Sequence, residues 1–174
     1  MTKTMGLFVA CFAAPVVLAL FALNFNWLTP GETNNGQFVE QSFQIKRWPA
    51  ESNIRWSVVM MEPEQCAQQC QHNKSMIKNI YDVLGKHNLY VGAYTLTATD
   101  KSLEINNLIM NKNSSVAPSN QANKMRLDTL YLVDHRGLVV LEYPVSYSAE
   151  QDTKMKKGLI KDVKKLLNYS RSRV

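Results

Sequence analysis

Two cysteines four positions apart, Cys66 and Cys70, are the residues of this chain best suited to do chemistry. A thiolate is both a nucleophile and a soft metal ligand, so a close pair can supply an attacking and a resolving thiol, or two donors to one soft ion. The C-x-x-x-C spacing is one residue longer than the C-x-x-C of common dithiol oxidoreductases. Residues four apart share one side of a helix, so the two sulfurs can converge on an ion, or close a disulfide where the local turn adapts. A disulfide that only staples the loop is the plainer alternative, although so short a closed loop stabilises little. Three histidines bear on the metal reading: His72, two residues past Cys70, is the better candidate for a further ligand, while His87 and His135 read as loop and turn residues. Met60, Met61 and Met76 flank the pair and read as core or strand-end residues rather than thioether ligands.

The elements around the pair are the ones that would expose it. Residues 54–61 (IRWSVVMM) are apolar on both alternating faces, as in a strand buried on both sides, and Glu62-Pro63 ends the run. Met76, Ile77, Ile80, Tyr81 and Leu84 then recur at helical spacing, with Gly85 as the residue that closes the helix. The cysteines therefore fall between a central strand and a helix N-terminus, where unpaired N–H groups and the helix dipole favour a thiolate.

Downstream, residues 89–96 (LYVGAYTL) read as a second strand, 101–110 (KSLEINNLIM) as a short helix packed by Leu103, Leu108 and Ile109, and 111–123 as a surface loop. Residues 127–133 and 138–143 form a hairpin across Asp134-His135-Arg136-Gly137, and Pro144 ends it. Met155, Leu159, Ile160, Val163, Leu166 and Leu167 make the apolar stripe of a terminal helix. The order β, α with cysteines at its start, β, α, β-hairpin, α predicts an α/β, thioredoxin-like fold, a central sheet flanked by helices.

Charge divides the chain unevenly. The 174 residues carry a net charge of +6, yet residues 1–30 hold only Lys3, and residues 154–174 hold eight basic residues against Asp162. Residues 31–153 are slightly acidic, with 11 basic and 13 acidic residues, which argues against nucleic acid as a partner. Residues 5–23 run without a charge for long enough to span a bilayer, Trp27 stands where an interfacial aromatic belongs, and Cys11 within the run is a small hydrophobe. A cleaved signal peptide is the rival, disfavoured by the length of the run and by the lack of a small-x-small site after it. Lys3 before the run, and no Lys or Arg after it until Lys46, predict that the remainder faces outward, into an oxidising compartment. The expected organisation is an anchor at 1–28, a linker at 29–53, a thioredoxin-like domain at 54–168 and a basic tail at 169–174.

Trp56-x-Val58, Glu62-Pro63-x-x-Cys66-x-x-x-Cys70 and Leu130-Tyr131-Leu132-Val133-Asp134-x-x-Gly137 together resemble the Sco/SenC family of membrane-anchored thioredoxin-like proteins. TPGETNNG after the apolar run and the Lys-rich KGLIKDVKKLL strengthen the likeness. The resemblance implies a single-pass inner-membrane protein with a periplasmic domain. It would assist cytochrome oxidase assembly, with an oxidase subunit or its assembly factors as partner, and Cys66 and Cys70 would exchange electrons or bind copper. The family's third copper ligand, a histidine, aligns with Arg126, so the resemblance carries over the thiol pair without its imidazole. Two thiolates can hold Cu(I), a Cu(II) site generally wants imidazole as well, and thiol exchange needs only the pair. A general thiol oxidoreductase and a non-catalytic scaffold with a permanent disulfide are the alternatives. No nucleotide-binding glycine loop, zincin helix or Gly-x-Ser-x-Gly elbow is present, and the three Asn-x-Ser sites, at Asn73, Asn113 and Asn168, carry no weight.

Overall fold

The computed structural model describes residues 2–24, 34–49, 51–99, 102–110, 112–118 and 124–171. Trp27, residues 119–123 of the expected loop and the last three residues of the expected tail lie outside them. The chain divides into two units, Met1–Thr33 and Asn34–Val174. The first contains α1 (Thr2–Asn24), an apolar helix with Pro15 inside it. Its stretch Met5–Ala22 is long and apolar enough to cross a membrane, since 18 residues at ~1.5 Å rise cover about 27 Å.

The second unit is built on one mixed seven-stranded sheet. In chain order its elements are β1 (Gln37–Phe38), β2 (Trp56–Glu62), α2 (Gln68–Val83), a 3-10 helix (Gly85–Tyr90), β3 (Val91–Ala98), β4 (Ser102–Asn107), β5 (Lys112–Pro118), β6 (Thr129–Asp134), β7 (Val139–Pro144) and α3 (Ala149–Arg171). The sheet order is β1-β7-β6-β2-β3-β4-β5. β2 pairs parallel with β3 and antiparallel with β6, so the strand that leads to the cysteines is central, as its two-faced apolar pattern predicts. The β2-α2-β3 half and the β6-β7-α3 half together make the thioredoxin-like core. Gly85 takes φ +55° directly after α2, a left-handed residue that lets the helix stop and the chain turn.

Between β3 and β6 the structure departs from the expectation. Residues 102–110 form no helix: Leu103 and Ile105 are buried while Glu104 is exposed, a period of two that makes Ser102–Asn107 β4, antiparallel to β3. Within the expected loop, Lys112–Pro118 is β5, the edge strand paired with β4. Its sequence, KNSSVAP, holds a single β-branched residue, Val116, and its ladder is made by backbone groups rather than by side-chain preference.

Among the described residues the α-helices of this unit cover one face of the sheet. There α2 and α3 contribute Met76, Ile77, Ile80, Leu84, Leu159, Val163 and Leu167 to a core with Val58, Met60, Leu130 and Leu132. Burying a side chain such as Ile77 or Ile80 stabilises by ~1.5–3 kcal/mol. On the other face Val59, Met61, Tyr94, Leu96, Leu103, Ile105, Tyr131 and Val133 pack with Phe43, Ile45 and Trp48. Residues 34–49, inside the segment expected as a linker, thus belong to the second unit. They are fastened by β1 against β7, by an isolated bridge between Gln44 and Leu138, and by Gly137, where an added Cβ would lie 2.6 Å from the Ile45 carbonyl oxygen. At their start, the buried Asp162 of α3 accepts hydrogen bonds from the Asn35 and Gly36 backbone N–H groups at 2.7 and 3.0 Å, from Asn35 Nδ2 at 2.8 Å and from Tyr143 Oη at 2.9 Å. Burial and the neighbouring Asp162 push the Tyr143 hydroxyl well above the usual tyrosine range.

Candidate functional site

Cys66 and Cys70 are joined as a disulfide, with Cα atoms 5.2 Å apart. Cys66 immediately precedes Ala67, the N-cap of α2, and Cys70 is its third residue. Ala67 offers no side-chain acceptor to the first turn, so the helix N-terminus next to the sulfurs is uncapped by any side chain. A thiolate released there is favoured by the N–H groups and by the positive end of the helix dipole. The two sulfurs differ in access: Cys66 is partly exposed, whereas Cys70 is 4% exposed and belongs to the helix-face core.

Glu62, at the end of β2, is the third member of the site. Its carboxylate and the two sulfurs all lie within 4.8 Å of one another, and Lys74, one turn past Cys70, holds that carboxylate at 2.5 Å. The Lys74 ammonium offsets the negative charge that would otherwise oppose a thiolate. Behind Cys70 a cleft of about 200 Å³ is lined by Met60, Met61, Pro63, Asn73, Leu127 and Asp128 among others. Asn73 is buried and donates from Nδ2 to Tyr147 Oη at 3.2 Å and to Asp128 Oδ1 at 3.4 Å, and Tyr147 Oη in turn donates to Asp128. Asn73 Oδ1 has no partner among the described residues. Burial, and then the hydrogen bond to Asp128, push the Tyr147 hydroxyl up to about 12.

The histidines fall elsewhere. His72 turns to Asp152 of α3, Nε2 to Oδ2 3.4 Å, and its ring lies 5.8 Å from that of Tyr147. His135 is in the β6–β7 turn, and Arg126, at the position the resemblance gives to a histidine, pairs with Glu142 while its N–H donates to Tyr131 Oη at 2.7 Å. Among the described residues the donor cluster is therefore two sulfurs and a carboxylate without imidazole. Once the disulfide is reduced, that set would suit Cu(I) through its thiolates better than Cu(II), which generally wants imidazole. Met60 and Met76 are core residues, as their spacing predicts. Sequence reasoning missed Glu62, Asn73, Asp128 and Tyr147 as neighbours of the pair. Asn73 carried a signal, being polar on the stripe Cys70, Asn73, Ile77, Ile80 and Leu84 that α2 buries.

A disulfide pair at the N-terminus of the first helix after a central strand, on a chain with one helix among the described residues long and apolar enough to cross a membrane, fits a membrane-anchored thioredoxin-like protein. Within that class the chain belongs to the family described as transmembrane-like, thioredoxin-like, C-terminal domain, whose model matches residues 56–170. Neither a curated protein nor a solved structure matches it. A thioredoxin-like domain with a cysteine pair at disulfide distance fits a thiol redox function.

Proposed function

We propose that this protein assists the assembly of a copper-containing cytochrome oxidase by thiol–disulfide exchange at Cys66 and Cys70, working from the periplasmic face of the inner membrane. The observation that carries the reading is the unequal exposure of two bonded cysteines at a helix N-terminus. The resemblance of the segments around Cys66, Cys70 and Leu130 to Sco/SenC proteins supplies the oxidase.

In the reducing direction the Cys66 thiolate attacks one sulfur of a disulfide in the oxidase copper site, forming a mixed disulfide and releasing one partner thiolate. Cys70, having lost its proton, then attacks the Cys66 sulfur and releases the second partner thiolate. The chain ends as the Cys66–Cys70 disulfide and the partner as a dithiol, two electrons having passed between them. The uncapped first turn favours the Cys66 thiolate, and burial keeps Cys70 from competing for the partner. Glu62, bridging to Lys74, lies within 4.8 Å of both sulfurs. In the reduced state the same two thiolates can carry Cu(I) as cargo, the reading that the cluster with Glu62 supports.

The test uses the full chain with Cys70→Ser, which lacks the resolving thiol, mixed with a peptide that carries an oxidase copper-site cysteine pair as a disulfide. A mixed disulfide through Cys66 should accumulate, and Cys66→Ser should give none. Trapping of unrelated disulfide peptides equally well would point to a general oxidoreductase. Failure to trap any would exclude a redox role. Cu(I) binding by the reduced chain, with and without Arg126→His, tests the cargo reading: affinity should rise in the variant if Arg126 stands at the ligand position.

A further inference from the structure

Helix α3 carries its charge in a way that the core does not require. Its two later acids are both inside: Asp162 is buried under Asn35, Gly36 and Tyr143, and Asp152 is buried with the backbone N–H and hydroxyl of Ser146. The exposed acid of the helix is Glu150, in the first turn. Lys154, Lys157 and Lys161 are exposed and Lys164 is half-buried. At ~100° per residue these four fall within an arc of about 80°, so they form one stripe facing away from the apolar side. Among the described residues no carboxylate pairs with any of the four.

The stripe also adjoins the place where the chain arrives from the membrane span. Asn35 lies on α3 at Gly158, where an added Cβ would come within 2.6 Å of the Asn35 Cβ. Lys154 and Lys161 stand one turn to either side of that glycine. Ten residues, eleven Cα steps, separate Asn24, the last of α1, from Asn35. A chain of that length reaches at most ~40 Å in any conformation. Lipid headgroups are thus at high local concentration around these lysines, whereas a soluble acidic protein would have to be recruited.

We propose that Lys154, Lys157, Lys161 and Lys164 dock on anionic headgroups of the bilayer that α1 spans. The chain then holds the membrane at two points, an apolar span and a basic helix face. The second contact is electrostatic, so it depends on lipid charge and is screened by salt. This inference is independent of the thiol chemistry, since it uses neither cysteine.

The test is lysine acetylation of the full chain in nanodiscs, read residue by residue by mass spectrometry, with Lys78 and Lys86 of the α2 region as internal references. In discs containing about one third phosphatidylglycerol, the four lysines should be acetylated about fivefold or more slowly than in discs of phosphatidylcholine alone. The protection should vanish in roughly 0.5 M salt, where screening is over a few ångströms. Equal labelling in the two lipids would overturn the proposal. So would protection that is the same in neutral discs, or that appears only when an acidic protein is added.

Discussion

The two faces of the sheet are closed by different means. On one, α2 and α3 lay regular apolar stripes across β2, β6 and β7, and the first turn of α2 brings Cys66 and Cys70 to the end of β2. On the other, among the described residues no α-helix lies between β3 and β6; the β4-β5 hairpin widens the sheet instead, and Phe43, Ile45 and Trp48 from the N-terminal segment cover what would be bare. The difference separates two jobs. A helix N-terminus next to a central strand offers oriented N–H groups and a buried partner thiol, whereas an irregular covering segment offers apolar area only. The proposed thiol chemistry belongs to the helix face, and the opposite face supplies stability.

Asp162 is where the comparison breaks most easily, because it ties the start of the covering segment to α3. Asp162→Ala leaves Tyr143 and the Asn35–Gly36 amides without their acceptor and should cost about 4 kcal/mol in urea unfolding. Asp162→Asn, which keeps one acceptor oxygen, should cost clearly less. Trp48→Ala, confined to the opposite face, should cost about 3 kcal/mol and leave the rate of thiol exchange within about twofold of wild type. A fall in exchange matching the fall in stability would show that the faces are not separable. Cys66→Ser and Cys70→Ser should do the reverse, the first abolishing exchange and the second stopping it at the mixed disulfide, while removing at most ~2 kcal/mol, because the loop that they close is so short.

The smallest effect concerns the network behind Cys70. Tyr147→Phe loses the hydrogen bonds to Asp128 and from Asn73 and should cost about 1 kcal/mol. The Tyr147 hydroxyl is pushed up to about 12 in the folded chain by burial and by Asp128, so the native state holds that proton more tightly than the unfolded one. Its contribution is complete below about pH 10, the unfolded tyrosine value, and fades as pH rises through about 12. Stability curves of wild type and Tyr147→Phe should therefore converge in that alkaline window.

The helix face was legible in the sequence because its signals are local. Residues 54–61 alternate apolar side chains on both sides, Cys70, Ile77, Ile80 and Leu84 follow helical spacing, and Gly85 and Gly137 stand where positive φ is needed. The opposite face was not, since its closure is a matter of long-range context. Phe43, Ile45 and Trp48 are spaced apolar residues in a polar stretch, and β5 has almost no side chains that favour a strand. In 101–110 the Leu103-x-Ile105 alternation was a strand signal too short to outweigh the helix reading packed by Leu103, Leu108 and Ile109, and pairing with β3 makes Ser102–Asn107 a strand. At the site, spacing identified the cysteines and their placement. It could not bring Asp128 and Tyr147 to Asn73, which are 55 and 74 residues away along the chain.

The central claim, that Cys66 and Cys70 cycle between dithiol and disulfide, is tested most directly by the reduction potential of the pair. The full chain is equilibrated in thiol buffers of graded potential and its free thiols are trapped and counted. Exchange with partners in an oxidising compartment predicts a potential between about −300 and −120 mV, with a single two-electron transition. A value below about −300 mV would mark the bond as a permanent staple and contradict the account.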